Sequence, residues 1–256
     1  MYPKLTEKQL QRLYSSDYIA IEDDYTKIID KSYFSKFKTL KTALNKSPEN
    51  ANHHFLDYGC GANPISIQYA LERGYIAHGM EISPDVRELA AINSGAKVFS
   101  KLEIEKSEML YDVIFLGDVL EHLVDPIAEL DFLKSKLTDK GRLLAQGPLQ
   151  GSHTLLHNLV RIYSGINTKK VSDFPPYHVS LAGLKSMQKL FDKSGFAIDA
   201  ISVSEVTWPA PTFQEVSNLP SARNILLFLS KSLDKIISKL LRNYGSRYFV
   251  ICSKQK

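Results

Sequence analysis

The sequence predicts an α/β fold built on a mostly parallel, doubly wound sheet, and three observations carry that expectation. Between residues 55 and 147, short apolar runs alternate with helical patterns, which is how βα units read in a chain. An N-cap residue followed by proline occurs three times, at Asn63-Pro64, Ser83-Pro84 and Asp125-Pro126, each opening a helical stretch. Gly74, Gly95 and Gly141 then mark helix ends or the turns just beyond them.

Taken in order, residues 1–50 read as two or three polar helices, a helical cap preceding the sheet. Five strands follow: "HFLDY", "YIAHGME", "AKVFS", "YDVIFLG" and "RLLAQG". The pattern loosens from 148 to 179, after which "SLAGLKSMQKLFDKSGF" is a capped helix with Leu184, Met187 and Phe191 on one face. Two further strands, "FAIDAISV" and "RYFVICSK", are too far apart for a tight hairpin and are expected to pair at a sheet edge. Between them lies a lid-like insert over about 206–246, proline-rich at first and then helical from "ARNILLFL" onward.

The 256 residues, 44% of them hydrophobic, are enough for one large core. A net charge of +4 is too mild to argue for DNA binding. The longest apolar runs, "ILLFL" and "YFVIC", fall far short of the roughly 18 residues that a spanning helix needs, and the polar start does not read as a signal peptide. The two cysteines, Cys60 and Cys252, form no metal-ligand spacing, so a reduced, cytoplasmic protein is expected.

The chemistry-bearing stretch is "FLDYGCGANP". A strand, a glycine-rich turn and a helix bring backbone N–H groups and the positive end of a helix dipole to a ligand. Gly59 and Gly61 allow the close approach. Glu81, twenty residues after Gly61 at the end of the second strand, is placed to accept hydrogen bonds from two ribose hydroxyls. Asn63 stands where a dinucleotide-binding loop has its third glycine. It reads as the cap of the helix that Pro64 begins, at a position whose unusual backbone angles asparagine tolerates.

These residues resemble the class I S-adenosylmethionine-dependent methyltransferases. "LDYGCGANP" is similar to their first motif, "GMEIS" to their acidic second strand end, and "YDVIFLGDVLEHLVDP" to their fourth strand and the loop after it. The resemblance extends through "GRLLAQGP" and "FPPYHVSLAGLKSMQKLFDKSGF", over about residues 50–205, and is closest to a small-molecule branch with ubiquinone-biosynthesis and sugar methyltransferases. Dinucleotide dehydrogenases are the competing reading, but "DVLEHL" has no place in their pattern. The resemblance implies a Rossmann-like, doubly wound, seven-stranded sheet with an antiparallel last strand and helices on both faces, occupying residues 51–256. It also implies S-adenosyl-L-methionine as cofactor. Asp57 would orient the loop and contact the methionine end, Gly59 and Gly61 would lie against the cofactor, Glu81 would hold the ribose and Ile82 would pack on adenine. Tyr58 would form a pocket wall and Cys60 a small packing residue in the loop. Asp118 would sit near the amino-acid end or the acceptor mouth. The adenine-edge contact within "SKLEIEKS" stays open.

Three other features bear on catalysis. Asp118, Glu121 and His122 could converge on a divalent metal, but "LEHL" also occurs in relatives without one, and the preferred expectation is no metal, with Glu121 and His122 shaping the pocket floor. His178, on the loop before a helix, could take a proton from an attacking hydroxyl or be structural. His153 and His157, four apart, have metal-compatible spacing without a third ligand. "FPPY" at 174–177 is in the wrong place for the nucleobase amino-methyltransferase motif, which follows strand four. Segment 223–247 carries six Lys and Arg residues, Arg223, Lys231, Lys235, Lys239, Arg242 and Arg247, against one acid, Asp234. It reads either as a covering helix with a solvated basic face or as a helix lying on an anionic membrane. The expected activity is O-methylation of a small molecule, glycan or lipid-linked precursor. The alternatives are a silent cofactor-binding partner subunit and a protein or RNA methyltransferase.

Overall fold

The computed structural model describes residues 37–44, 52–149, 154–156, 158, 159, 162, 182–205, 222–241 and 243–255. In chain order these form α1 (Lys38–Ala43), β1 (His54–Tyr58), α2 (Ile65–Glu72), β2 (Ile76–Met80), α3 (Pro84–Ser94), β3 (Lys97–Phe99), α4 (Lys101–Lys106) and β4 (Tyr111–Gly117). A 3-10 turn (Leu120–His122) follows, then α5 (Pro126–Lys136), β5 (Leu137–Pro148), α6 (Leu184–Lys193), β6 (Phe196–Ser204), α7 (Ala222–Leu240) and β7 (Arg247–Lys254).

All seven strands join one sheet in the order β3-β2-β1-β4-β5-β7-β6. The first five strands pair in parallel, while β7 runs antiparallel to both β5 and β6. The order reverses between β1 and β4, and such a switch point opens a crevice at the carboxyl ends of the strands. Sheet alternation sorts the core into two layers. Leu56, Ile114, Leu116, Leu143 and Val250 face Ile104 of α4, Leu130 and Leu133 of α5, and Met187 and Phe191 of α6. Phe55, Val113, Phe115, Leu144 and Phe249 face Leu40 of α1 and Ile67 and Ala70 of α2. Runs buried on both faces are what made these strands read as unbroken apolar segments.

Local signals account for most boundaries. Asp125 caps α5, its carboxylate accepting from Ala128 N at 3.2 Å, and Pro126 opens the helix. Ser100 and Glu103 form a reciprocal capping box on α4. Gly95 ends α3 in the left-handed conformation (φ 69°). Two expectations are corrected. Asn63 does not cap α2: the helix starts at Ile65 with Pro64 in the cap position, and the Asn63 side chain instead accepts from Asn93 Nδ2 at 3.2 Å. Nor does Asn63 take a left-handed φ. Gly141 is not a helix end, because α5 passes directly into β5 at Leu137. It sits where the β4–β5 register shifts, and a Cβ there would lie 2.9 Å from the Tyr111 carbonyl oxygen.

Helix α7 falls within the insert expected at 206–246, but its orientation differs from that of a covering helix with its apolar side inward. Ser230, Lys231 and Asp234 are buried, whereas Leu226, Leu229, Leu233 and Ile236 are exposed. Asp234 sets this roll, since its two carboxylate oxygens accept from Leu155 N (2.7 Å) and Leu156 N (2.8 Å), and the Tyr244 hydroxyl also donates to it. Among the described residues no helix is long and apolar enough to cross a membrane.

Candidate active site

The β1–α2 loop is tied to the end of β2 by its own backbone. Gly59 N and Cys60 N both donate to the Met80 carbonyl, at 2.9 and 3.0 Å, and Gly61 N donates to Glu81 Oε2 at 3.1 Å. The N–H groups that sequence reasoning aims at a ligand thus hold the loop in shape. Glycine is required at both ends of this turn, with φ 80° at Gly59 and 62° at Gly61. A Cβ on Gly59 would also lie 2.7 Å from Val119 Cγ2, which shows how closely the β1 loop abuts the loop after β4.

Glu81 is oriented entirely by backbone donors. Oε1 accepts from Ile82 N (2.8 Å) and Ser83 N (3.1 Å), and Oε2 accepts from Gly61 N. Burial raises its pKa, against those three hydrogen bonds and the nearby Arg87 charge, which favour the ionised form. Arg87 Nη1 donates to the Glu81 carbonyl at 3.1 Å and so braces the strand end. Asp57 is buried at the end of β1, where the Ser66 hydroxyl, in the first turn of α2, donates to Oδ2. Burial pushes its carboxyl up to about 7, with the Ser66 bond opposing and the Glu81 charge adding to the rise. The loop thus lies between a buried carboxylate, Asp57, and a half-buried one, Glu81, neither neutralised by a direct ion pair among the described residues. Such a set is suited to hydroxyl and ammonium donors.

The other expected cofactor contacts separate. Ile82 is 36% exposed beside Glu81, an apolar surface available to a planar base. Cys60 Sγ would lie 2.8 Å from a Cβ at Gly79, so the thiol packs over a glycine of β2. The Tyr58 ring instead joins the opposite core layer, and its hydroxyl donates to Glu129 of α5, which also pairs with Lys101 Nζ at 2.7 Å. The phenol is raised far above its usual range by burial, then by the Glu129 charge.

Across the switch point, Asp118 follows β4 in a left-handed conformation, φ 61°, and accepts a hydrogen bond from Arg247 Nη2 at the start of β7. Its backbone N donates to the Gln146 carbonyl at 2.9 Å, fastening the loop to β5. Glu121 is buried in the 3-10 turn, and a Cβ at Gly147 would lie 3.2 Å from Glu121 Oε2 and 3.2 Å from the Tyr248 hydroxyl. Among the described residues that hydroxyl has no hydrogen-bond partner, and burial followed by the Glu121 charge raises its pKa well above the usual range. His122 is half-buried in the same turn. Among the described residues no group of three or more His, Cys, Asp and Glu side chains is arranged to hold a metal ion. His178, His153 and His157 lie outside the described residues. Sequence reasoning missed Ser66, Arg87, Val119 and Tyr248 as parts of this region, and saw Arg247 only as one charge of a basic run. Ser66 alone had a local signal, a hydroxyl in the first turn of the helix after the glycine loop.

Comparison with known proteins agrees with this arrangement. A family model described as "Methyltransferase domain" matches residues 29–201. A structure of a SAM-dependent methyltransferase from Archaeoglobus fulgidus is 17% identical, covers 93% of this chain and 99% of its own, and superposes with a TM-score of 0.59. Magnesium protoporphyrin IX methyltransferase from Synechocystis PCC 6803, solved with bound SAH, is 14% identical with coverages of 98% and 100% and a TM-score of 0.62. The plantazolicin methyltransferase BpumL, in complex with a pentazolic desmethylPZN analog and SAH, is 16% identical with coverages of 96% and 94% and a TM-score of 0.57. No protein of curated function matches the sequence. At these identities the structural likenesses establish the fold, and the family model spans well over half of the residues. The chain belongs to the methyltransferase-domain family, among the class I S-adenosylmethionine-dependent methyltransferases.

Proposed function

We propose that this protein methylates an oxygen of a small molecule, with a glycan or a lipid-linked precursor as the narrower acceptor classes. The observation that carries the cofactor side is the cradle itself: a glycine turn locked to Met80 and Glu81, flanked by the Asp57 and Glu81 carboxylates at the switch point of the sheet. The acceptor class draws support from two structural relatives, named for magnesium protoporphyrin IX and plantazolicin rather than for a protein or nucleic acid.

S-adenosylmethionine supplies the methyl group already activated as a sulfonium, so the protein chiefly aligns and desolvates the reacting atoms. Glu81 accepts from ribose hydroxyls, and its three backbone donors fix the carboxylate before binding. Asp57, held by Ser66, offers negative charge to the methionine end. Asp118 lies across the β1–β4 crevice, its charge partly offset by Arg247. An acceptor hydroxyl must lose its proton, and Glu121 and His122, in the turn after β4, are the described groups at that end of the site, with His178, outside the described residues, as the sequence's further candidate.

The test is incubation with methyl-labelled cofactor and fractionated extract. Label in small-molecule, glycan or lipid pools supports the proposal. Label confined to protein or RNA refutes it, and binding without any transfer would make the chain a silent cofactor-binding subunit.

A further inference from the structure

Helix α7 presents its apolar side to solvent. Leu226, Leu229, Leu233 and Ile236 are between 47% and 56% exposed, and Leu240 is 77% exposed. With about 100° of rotation per residue, Ile225, Leu226, Leu229, Leu233, Ile236 and Leu240 share one stripe roughly 100° wide, the width that amphipathic helices normally turn to a core. Here the opposite side is inside: Ser230, Lys231 and Asp234 are buried. The reversal is fixed, because rolling the stripe inward would pull Asp234 off Leu155 N, Leu156 N and the Tyr244 hydroxyl and leave a buried carboxylate's bonds unmade, a costly loss.

Charge identifies what this face meets. Lys235 and Lys239 are exposed along one margin of the stripe. Asp234, the one acid between residues 225 and 241, is wholly buried, so the outer face of that stretch carries positive charge and no negative charge. Leucine and isoleucine on the face with lysine at its edge suit a helix that lies in the boundary of an anionic bilayer, its apolar side chains among the acyl chains and its ammonium groups at the phosphates. No helix among the described residues is apolar and long enough to cross, which fits a helix that lies on the surface.

We propose that α7 docks this protein on an anionic lipid surface, with Leu229, Leu233 and Ile236 inserting and Lys235 and Lys239 reading the headgroup charge. The proposal stands on the helix alone and is tested without cofactor, so it can fail while methyl transfer survives, and the reverse.

The test is flotation of the full chain with vesicles of equal parts phosphatidylcholine and phosphatidylglycerol, against vesicles of phosphatidylcholine only. The wild type should float with the anionic vesicles and lose most of that binding at high salt. Leu233→Glu with Ile236→Glu, both already solvent-facing, should weaken it about tenfold or more, and Lys235→Glu with Lys239→Glu should do likewise. Both variants should keep the wild-type melting temperature and affinity for S-adenosylhomocysteine. The wild-type comparison decides the matter even where a variant misfolds: no binding, or equal binding to neutral vesicles, overturns the proposal. So does a lipid-free dimer in sedimentation that Leu233→Glu dissolves, which would assign the stripe to a second copy, or RNA that competes the protein off the vesicles.

Discussion

The two sides of the β1–β4 crevice use carboxylates in opposite ways. On the β1–β2 side, Asp57 and Glu81 take their hydrogen bonds from a hydroxyl and backbone amides, all neutral donors, and burial raises both pKa values, that of Asp57 to about 7. On the β4–β7 side, Asp118 meets the Arg247 guanidinium and is offset locally. The first arrangement leaves both carboxylates without a direct ion pair among the described residues, ready for a ligand that brings donors and positive charge. The second holds a loop in place through an ion pair. Under the proposed function, one side is a fixed cradle for the cofactor, and the other can be rebuilt for different acceptors without disturbing it.

Glu81→Ala is the most direct attack on that distinction. It removes the proposed acceptor for the ribose and strands the N–H groups of Gly61, Ile82 and Ser83. Calorimetry should show affinity for S-adenosylhomocysteine falling about a hundredfold, equivalent to about 3 kcal/mol for charge-assisted bonds. Unchanged affinity would sink the cofactor assignment.

Gly59→Ala comes next. The turn needs φ 80°, and the added methyl would lie 2.7 Å from Val119 Cγ2, so a loss of about 2 kcal/mol is expected in denaturant unfolding. Gly95→Ala is the control, with φ 69° and nothing within 4 Å, and should cost only about 1 kcal/mol.

Asp57 makes the comparison titratable. Its carboxyl sits at about 7 in the folded chain against 3.8 for the unperturbed group, so its contribution to stability is full below the unfolded value and is lost as pH rises through about 7. Asp57→Asn, which keeps an acceptor for Ser66, should therefore gain in stability on the wild type as pH rises from about 4 to about 7 and hold that margin above it, by at least about 2 kcal/mol. Cofactor affinity should move the other way in the wild type, rising as Asp57 ionises. His78 is opposite in sign to Asp57: burial and the neighbouring His54 lower its pKa, so its contribution is full above 6.5 and is lost as pH falls below that through its lowered folded value, a range that overlaps the Asp57 window.

What could be read before folding follows from how local each signal is. Gly59, Gly61 and Glu81 were legible because a tight turn and a strand end impose residue types within about a score of positions, and the parallel sheet follows from two-sided apolar runs alternating with helices. The Asp118–Arg247 pair joins positions 129 apart, and no pattern in either segment selects the other. The roll of α7 was illegible for the same reason. Its sequence has an apolar side and a basic side, and the usual rule turns the apolar side in. The buried Asp234, bonded to amides 78 and 79 positions away, reverses that rule.

Arg247→Met probes the acceptor side. Losing the guanidinium leaves Asp118 without its ion pair in a loop already held at φ 61°, so stability should fall by about 1–2 kcal/mol. Affinity for S-adenosylhomocysteine should stay within about threefold of wild type, less than 0.7 kcal/mol. A loss comparable with that of Glu81→Ala would erase the proposed division between the two sides.

The smallest effect belongs to Asn63, the residue that replaces the third glycine of a dinucleotide loop. As a helix cap it would be worth about 1 kcal/mol, but its Oδ1 accepts only a 3.2 Å bond from Asn93 Nδ2 at an exposed position, and that same amide bonds the Ala62 carbonyl at 2.9 Å. Asn93 therefore keeps its better partner when Asn63 is removed. Asn63 also lacks the positive φ that would make glycine welcome, so Asn63→Gly should cost about 0.5 kcal/mol, mostly from the added freedom of the unfolded chain, with cofactor affinity unchanged. A cost above about 1.5 kcal/mol would mean that the side chain does cap α2 in solution. A tenfold loss of affinity in a fully folded variant would instead place Asn63 inside the cradle and move the boundary between the two sides one turn further along the chain.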